Sequence, residues 1–284
     1  MTTRLAVGPA GARVAVRLYG GGGTARLPLL VCLHGFTGTG ATWAGLAGTV
    51  RDRFRVAAPD APGHGLSDAP DDPAAYGLWT TADRVAEAID RLGGRPAHVL
   101  GYSMGGRIAL HLALAHPGAV ASLVLEGASP GIADAAERAR RRASDEAWAA
   151  RIERDGIEAF ADAWQAQPLF ASQASLSPRA FARQRATRLG QRAAGLAASL
   201  RGAGAGAQED LRARLGSLEL PVLYVAGGLD ERYRQVGAAV AAAIPGARLA
   251  VVADAGHAAH LERPAAFARA VTAFWDAIGA GAPP

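Results

Sequence analysis

Ser103 lies between two glycines in the segment GYSMG, residues 101–105. An apolar run at residues 97–100 precedes this segment, and a run of helical character begins at residue 106. Glycines beside a serine permit the sharp, strained turn by which a strand passes into a helix, and the new helix directs its N-terminal amides at developing negative charge. The pattern therefore predicts that Ser103 is a nucleophile or base exposed on a strand-to-helix turn.

Two further polar residues, Asp230 and His257, follow predicted strands. In the chain order Ser, Asp, His these residues could form a catalytic triad. His257 would then take a proton from Ser103, while Asp230 would hold the imidazole in the correct tautomer. Taken singly, Asp230 could instead be a turn residue and His257 a capping histidine. Their joint placement at strand ends favours the triad.

The segment HGF, residues 34–36, follows an earlier predicted strand. An oxyanion hole in such a site uses the amide after the nucleophile and one from the loop after an earlier strand, which nominates the backbone N–H groups of Met104 and Phe36. His34 is expected to be structural. The spacing of His257 and His260 is typical of metal ligands, but no further ligands accompany them, so we expect no metal.

The elements that must position these residues are apolar strands alternating with amphipathic helices. Strands are predicted at residues 13–19, 29–33, 54–58, 97–100, 122–125, 221–226 and 248–252. Helices are predicted at residues 80–92, after Ser103 and at 264–278, with Thr80 or Thr81 as the N-cap of the first. A flexible turn is expected at residues 20–23 and a frayed tail at 279–284. This alternation predicts an α/β fold with a mostly parallel sheet and helices on both faces.

Residues 132–215 are dominated by Ala, Arg, Asp and Glu at helical spacing and contain no good strand. A helical block between strands of one sheet is most simply a lid over the edge where α/β sheets bind ligands. We therefore expect a core made of residues 1–131 and 216–284 and a helical lid at residues 132–215.

The composition excludes several classes of protein. The chain has 284 residues, half of them hydrophobic, and a net charge of +5, with arginine as its only basic residue besides histidine. No nucleic-acid-binding motif accompanies that charge, so no nucleic acid is expected as a partner. No apolar stretch has the roughly 18–20 residues of a membrane span, no signal peptide is recognisable, and the single cysteine, Cys32, falls in a strand-like run. We expect a cytoplasmic monomer without membrane association and with Cys32 buried.

Six arginines and no acidic residue lie between residues 163 and 208. Arg185, Arg188 and Arg192 are spaced i, i+3, i+7, which predicts an unpaired cationic face on one lid helix. Guanidinium groups bind carboxylates bidentately, so this face fits a small-molecule substrate with several carboxylates. A solvated surface helix is the alternative.

Four segments resemble the α/β-hydrolase superfamily over nearly the whole chain: LHGF at 33–36, PGHG at 62–65, the turn around Ser103, and GH at 256–257. A narrower resemblance lies in GYSMGGR at 101–107, EGASPGI at 126–132 with the following Glu137 and Arg138, and residues 164–170. These segments are similar to the 2-succinyl-6-hydroxy-2,4-cyclohexadiene-1-carboxylate synthases of menaquinone biosynthesis.

The resemblance implies a carbon–oxygen lyase that needs no cofactor or metal. It would eliminate pyruvate from 2-succinyl-5-enolpyruvyl-6-hydroxy-3-cyclohexene-1-carboxylate, with the triad abstracting a proton. The resemblance also implies the substrate-binding residues, which are Tyr102, Arg107, Arg138, Trp164 and Arg188.

Two other functions remain open from the residues. A serine hydrolase of an ester, lactone or ring-cleavage product would use the same triad through an acyl-enzyme or gem-diol species. A non-catalytic receptor on this fold could also retain the triad residues.

Overall fold

A computed structural model describes residues 2–7, 13–20 and 27–281 of the chain. The strands within these ranges form one sheet, in the order β1-β2-β4-β3-β5-β6-β7-β8. Their bounds are β1 (Thr2–Ala6), β2 (Arg13–Tyr19), β3 (Leu29–Leu33), β4 (Arg55–Pro59), β5 (Ala97–Tyr102), β6 (Val120–Glu126), β7 (Val222–Gly227) and β8 (Arg248–Val252). The turn expected at residues 20–23 lies outside the described residues except for Gly20. Of the tail expected at 279–284, residues 279–281 are described, and a frayed tail is wrong for them, because Ala280 is buried and its N–H donates to the carbonyl of Trp275 at 2.8 Å.

The sheet is parallel from β4 through β8 and antiparallel where β2 meets β1 and β4. The predicted fold class, a mostly parallel α/β sheet with helices on both faces, is confirmed. Because the parallel strands all run in one direction, their carboxyl ends meet at one edge of the sheet. The segments that carry Ser103, Asp230 and His257 leave the sheet at this edge.

The bounds of the helices are α1 (Ala44–Thr49), α2 (Leu78–Arg91), α3 (Met104–Ala115), α4 (Ala135–Gln165), α5 (Pro178–Leu189), α6 (Ala193–Ala203), α7 (Glu231–Ala243), α8 (Ala259–Glu262) and α9 (Pro264–Ala277). Helices α2, α3 and α7 pack on one face of the sheet and α1 and α9 on the other, while α4, α5 and α6 lie in the segment between β6 and β7. Alternate strand residues point to opposite faces. Val31 therefore packs into the core shared with α2, α3 and α7, while its neighbour Cys32 is buried in the core shared with α1 and α9.

Residues 132–215 contain α4, α5 and α6 and, within the described chain, no strand. A 3₁₀ segment, Pro168–Ser175, joins α4 to α5. Helix α4 has a kink at Gly156, whose φ of 79° is not helical. Helices α4 and α6 share a small aromatic and aliphatic core that includes Phe160, Trp164 and Leu196, and Phe170 of the 3₁₀ segment completes it. The boundaries of the lid remain a prediction.

Three details differ from the sequence-based expectations. Strand β1 was not expected, because the short polar segment TTRLA lacks an apolar pattern, and it forms by pairing with β2. Helix α2 begins at Leu78, and its N-cap residue is Gly77, which has no side chain to cap the helix. The expected N-cap at Thr80 or Thr81 is therefore wrong. A 3₁₀ turn at Pro73–Tyr76, capped by Asp72, leads the chain into this helix earlier than expected.

The third difference concerns the expected arginine face of the lid. Helix α5 ends at Leu189, and Arg192 is the N-cap of α6. Arg185, Arg188 and Arg192 therefore do not share one helix, because the chain leaves α5 at Gly190 and Gln191.

None of the helices in the described ranges is both long enough and apolar enough to cross a membrane.

Candidate active site

Ser103 occupies the turn between β5 and α3, with φ of 50° and ψ of −109°. Non-glycine residues rarely adopt positive φ, so this backbone is strained. The Ser103 N–H donates to the carbonyl of Glu126 over 2.8 Å, which ties the turn to the end of β6. A Cβ on Gly105 would collide with the carbonyl of Leu33. Glycine is therefore required where the new helix crosses β3.

The three candidate triad side chains meet at the carboxyl edge of the sheet. The distance from His257 Nε2 to Ser103 Oγ is 3.2 Å, and His257 Nδ1 lies 2.9 Å from Asp230 Oδ2. Asp230 also caps α7, since its Oδ1 accepts from the Tyr233 N–H at 3.1 Å. His257 is 3% exposed and Asp230 9%. The aspartate is thus held from two sides, and the arrangement can accept a proton at His257 Nε2 while Asp230 stabilises the imidazolium.

The backbone amides of Phe36 and Met104 border the same space. Both residues line the cavity above Ser103, and neither amide donates a hydrogen bond to any group in the described chain. The loop that carries Phe36 is fixed by a turn bond from the Gly38 N–H to the Gly35 carbonyl at 3.0 Å and by a positive φ at Thr37. Two free amides at this position can stabilise a developing oxyanion.

Two buried histidines hold the loops beneath this site. His34 Nδ1 donates to the carbonyl of Gly35 at 2.8 Å, and its Nε2 accepts from the Ala61 N–H at 2.9 Å. These two bonds require the neutral imidazole, and burial lowers the pKa of His34 accordingly. Burial likewise lowers the pKa of His64 to about 3, with the neighbouring His34 adding to the effect. Neither side chain is among the residues that line the cavity over Ser103, and both serve as structural groups.

A cavity of about 860 Å³ lies over Ser103 between the sheet edge and the helices of residues 132–215. Aromatic side chains cover its centre, where Trp164 packs edge-on against Phe36 at 5.1 Å. The charged side chains that line it are all basic, and no Asp or Glu is among its lining residues in the described chain. The lining arginines are Arg107, Arg141, Arg183, Arg188 and Arg269. A cavity with this charge distribution attracts anions.

Comparison with known proteins identifies the fold and the family of this chain. A family model of the α/β hydrolase fold matches residues 28–264. A protein of Pectobacterium atrosepticum named 2-succinyl-6-hydroxy-2,4-cyclohexadiene-1-carboxylate synthase is 35% identical over 250 residues, covering 87% of this chain and 93% of that protein. A relative from Bacillus subtilis (strain 168), assigned provisionally to the same synthase, is 38% identical over 249 residues, covering 88% and 90%.

This chain belongs to the 2-succinyl-6-hydroxy-2,4-cyclohexadiene-1-carboxylate synthase family of α/β-hydrolase-fold proteins. The resemblance stated from the sequence is confirmed. A solved structure, that of MenH from S. aureus, matches with a TM-score of 0.87 at 30% identity and covers 92% of this chain and 98% of that one.

Of the residues for which the synthase family resemblance implied substrate contacts, four line the cavity: Tyr102, Arg107, Trp164 and Arg188. Arg107 donates to the carbonyl of Ala203 at 2.7 Å, and Arg188 bonds Gln165 and lies 5.5 Å above the ring of Phe170. Burial lowers the pKa of each guanidinium to about 10, so both remain charged at neutral pH. Burial also raises the pKa of Tyr102, which keeps its hydroxyl protonated.

The structure does not place Arg138 on the cavity. Its guanidinium donates to the carbonyl of Ile132 at 2.8 Å. Arg141, one helical turn further along α4, lines the cavity instead and pairs with Asp145 at 2.8 Å. Residues 138–142 read RARRR, and the position that faces the cavity depends on how α4 rotates against the core. Helical spacing from Arg138 is the sequence signal that leads to Arg141.

The expectation of an unpaired cationic face is wrong for Arg185, which pairs with Asp162 at 3.0 Å. Arg201, another arginine of the stretch without acidic residues, pairs with Glu146 at 2.8 Å. The acidic partners lie on α4, which packs beside both α5 and α6. The stretch itself has no acidic residues, but the folded chain brings carboxylates of α4 next to its arginines.

A second buried acid–histidine pair, which the sequence did not predict, lies beside the candidate triad. Glu126, the last residue of β6, lies 2.8 Å from His260 Nδ1 and accepts from the His260 N–H at 3.0 Å. The ring of Tyr102 packs between His257 and His260, at 5.3 and 4.6 Å. This pair anchors the loop that carries His257. The side chain of His260 is therefore engaged by a carboxylate.

Proposed function

We propose that this chain is a carbon–oxygen lyase of menaquinone biosynthesis. It eliminates pyruvate from 2-succinyl-5-enolpyruvyl-6-hydroxy-3-cyclohexene-1-carboxylate to give 2-succinyl-6-hydroxy-2,4-cyclohexadiene-1-carboxylate. The observation that carries the proposal is the cavity over Ser103, which is lined by five arginines and no carboxylate in the described chain. A substrate with three carboxylates supplies the negative charge that this cavity lacks.

In the proposed reaction, His257 draws the proton from Ser103 Oγ, and Ser103 removes the proton at the ring carbon next to the succinyl ketone. The backbone amides of Phe36 and Met104 stabilise the enolate oxygen that forms. The enolate electrons then form a ring double bond, the existing double bond shifts by one position, and the carbon–oxygen bond to the enolpyruvyl group breaks. The departing enolate takes up the proton held by His257 and becomes pyruvate.

The arginines contribute by positioning in this scheme. Arg107 and Arg188 are buried and hold their guanidinium groups in place through hydrogen bonds to Ala203 and Gln165. Fixed cations bind the carboxylates at set positions and orient the ring so that its acidic proton faces Ser103. Tyr102 and Trp164 form the apolar walls against the ring.

We include in the proposal a monomeric enzyme that works in the cytoplasm. Every group in the scheme comes from one chain, so catalysis does not need a second copy. A substrate with three carboxylates does not cross a bilayer unaided, which favours the compartment where it is made. Size-exclusion chromatography with light scattering and cell fractionation test these two points.

The test is a coupled assay of pyruvate release with freshly generated substrate, run beside Ser103→Ala. We expect the variant to lose about 10²–10⁴-fold in kcat, because the proton acceptor is gone, while substrate still binds. Substrate binding by the variant, measured by calorimetry, separates lost chemistry from lost folding. Near-normal turnover by Ser103→Ala would show that another group removes the proton.

A serine hydrolase is the second candidate, because Ser103 within 3.2 Å of His257 and two free amides also suit an acyl-enzyme. A hydrolase releases a burst of product from a small activated ester and is labelled by fluorophosphonates at Ser103. A chain that reacts rapidly with such probes and releases no pyruvate above the spontaneous rate is the hydrolase.

A further inference from the structure

The lining of the cavity includes residues of α5 and α9 as well as Ser103 and His257 of the candidate triad. Its inner part lies on the α3 side of the sheet edge, where Arg107 and Arg141 line it. Its outer part reaches α9, which packs on the opposite face of the sheet. We use the name outer mouth for the part of the lining that α5 and α9 supply, namely Ala180, Arg183, Gln184, Ala265, Ala268 and Arg269.

Two arginines are the charged groups of the outer mouth. Arg183 on α5 and Arg269 on α9 are both exposed, and neither forms an ion pair with any carboxylate of the described chain. Arg185, two residues from Arg183, differs because it is neutralised by Asp162 and Glu158. The other lining residues of the mouth are small or uncharged. The two guanidinium charges at the entrance are therefore uncompensated.

We propose that Arg183 and Arg269 form a capture site that draws polycarboxylate substrates into the cavity. The inference rests on the proposed function, and it assigns to these two arginines a role separate from that of the buried Arg107 and Arg188. Exposed charges act on an anion over roughly 10 Å at moderate salt, and a mouth of one sign raises the local concentration of the ligand. Because neither arginine lies beside Ser103, they act before the chemical step.

The experiment compares wild type with Arg183→Gln/Arg269→Gln in the pyruvate-release assay at ionic strengths from about 0.02 to 0.5 M. We expect kcat/KM of the double variant to fall about 3–10-fold at low salt and to approach wild type at high salt, because salt screens the lost attraction. The value of kcat is expected to stay within about twofold of wild type. The double variant Arg183→Lys/Arg269→Lys, which keeps both charges, is expected to restore kcat/KM.

A charge-matched control separates the position of the charges from their number. Arg51→Gln/Arg248→Gln removes an equal number of positive charges from exposed sites near the amino edge of the sheet, where Arg51 precedes β4 and Arg248 begins β8. Arg51 lies 3.7 Å from the exposed Asp52, and such surface pairs are weak, so the change in net charge matches that of the mouth variant. This control is expected to behave as wild type. The proposal is overturned if control and mouth variants lose kcat/KM equally, if the mouth variant keeps the wild-type salt dependence, or if its kcat falls as much as its kcat/KM.

A binding measurement makes the capture site testable apart from the reaction. Citrate, a tricarboxylate, is titrated calorimetrically at low salt into wild type, the mouth variant and the control. Weaker binding by the mouth variant alone supports the capture site. Equal affinity in all three proteins, or no measurable binding to any of them, overturns it. If wild type releases no pyruvate but citrate binding depends on the mouth, the proposed function fails and the capture site stands.

Discussion

The backbone of Ser103, with φ at 50°, costs on the order of 1–3 kcal/mol relative to a relaxed conformation. The surroundings supply this energy through the hydrogen bond to Glu126 and through the close packing that glycine allows at positions 101 and 105. The strain places the hydroxyl within reach of His257 and leaves the amide of Met104 free. The strained backbone lowers the stability of the fold at this residue and fixes the position of the reacting oxygen.

The buried arginines show a related compromise. Arg188 is 4% exposed, and in the described chain it is bonded to the neutral groups of Gln165 and Thr37 rather than to a carboxylate. A buried charge without a counter-ion is costly, and a bound carboxylate removes that cost. An anionic substrate that pairs with Arg188 therefore gains more than it would from an exposed arginine.

Replacing Arg188 by methionine tests this reasoning. We expect Arg188→Met to keep or increase the free energy of unfolding, by up to about 2 kcal/mol, because an uncompensated buried charge is removed. We expect KM for the polycarboxylate substrate to rise at least about tenfold, because a charge-assisted contact is lost. Urea unfolding and steady-state kinetics measure the two effects.

Arg185→Met, on the same helix, is the matched control. Its ion pairs with Asp162 and Glu158 are exposed, and such pairs contribute about 0–1 kcal/mol. We expect little change in KM for this variant. A normal KM in Arg188→Met would remove Arg188 from the binding site.

At the scale of elements, α3 approaches the sheet more closely than a side chain permits. A Cβ on Gly105 would lie 2.6 Å from the carbonyl oxygen of His34 and closer still to that of Leu33. Both atoms belong to the backbone, which cannot move without shifting β3 and the loop that carries Phe36. The glycine therefore sets the spacing between the Ser103 turn and the Phe36 amide.

We expect Gly105→Ala to lower the free energy of unfolding by about 1–3 kcal/mol, since it overpacks a backbone contact. Turnover is expected to fall more than stability alone explains, because Ser103 and Phe36 are displaced from each other. Gly48→Ala is the control, since Gly48 has open space around its Cβ position. Equal effects of the two substitutions on turnover would contradict this account.

The lid helices and the core share one aromatic cluster. Trp164 of α4 contacts Phe36 of the core loop at 5.1 Å and Trp148 of the same helix at 5.1 Å. Ion pairs of Arg201 with Glu146 and Glu153 join α6 to α4 at the surface. The position of the lid is therefore coupled through Phe36 to one of the two free amides.

At the scale of the whole molecule, several histidines are buried or partly buried in the neutral form. Burial lowers the pKa of His64 to about 3 and those of His98 and His111 to about 4, from an ordinary value of 6.5. In the unfolded chain these groups take up protons once the pH falls below about 6.5, whereas in the folded protein they do not. The unfolded state therefore binds more protons between pH 6.5 and about 3–4, and stability rises with pH across this window.

We expect the free energy of unfolding to be greatest at or above pH 7 and to decrease steadily as the pH is lowered from 6.5 towards 4. Urea unfolding at constant ionic strength, in steps of half a pH unit, measures this dependence. A free energy that is constant or increases on acidification would show that these histidines are already protonated in the folded protein.

The alternation of strands and helices, the turn at Ser103 and the placement of Asp230 and His257 after strands were predictable from the sequence. Each depends on local signals: apolar runs, glycines beside a polar residue, and the rule that parallel strands end at one edge. Residues that follow parallel strands of similar length lie close together, because these strands all end at the same edge of the sheet. The expected oxyanion-hole positions followed from the same local reasoning.

Which arginines face the cavity was decided only by the tertiary structure. Arg138 and Arg141 look alike in the sequence, and only the rotation of α4 against the core separates them. Arg183 and Arg185 look alike too, yet only Arg185 meets carboxylates from α4. Pairing of charges depends on the packing of helices distant in sequence. The composition along the chain cannot specify which charges pair, because the partner of an arginine can come from a helix that is distant in sequence.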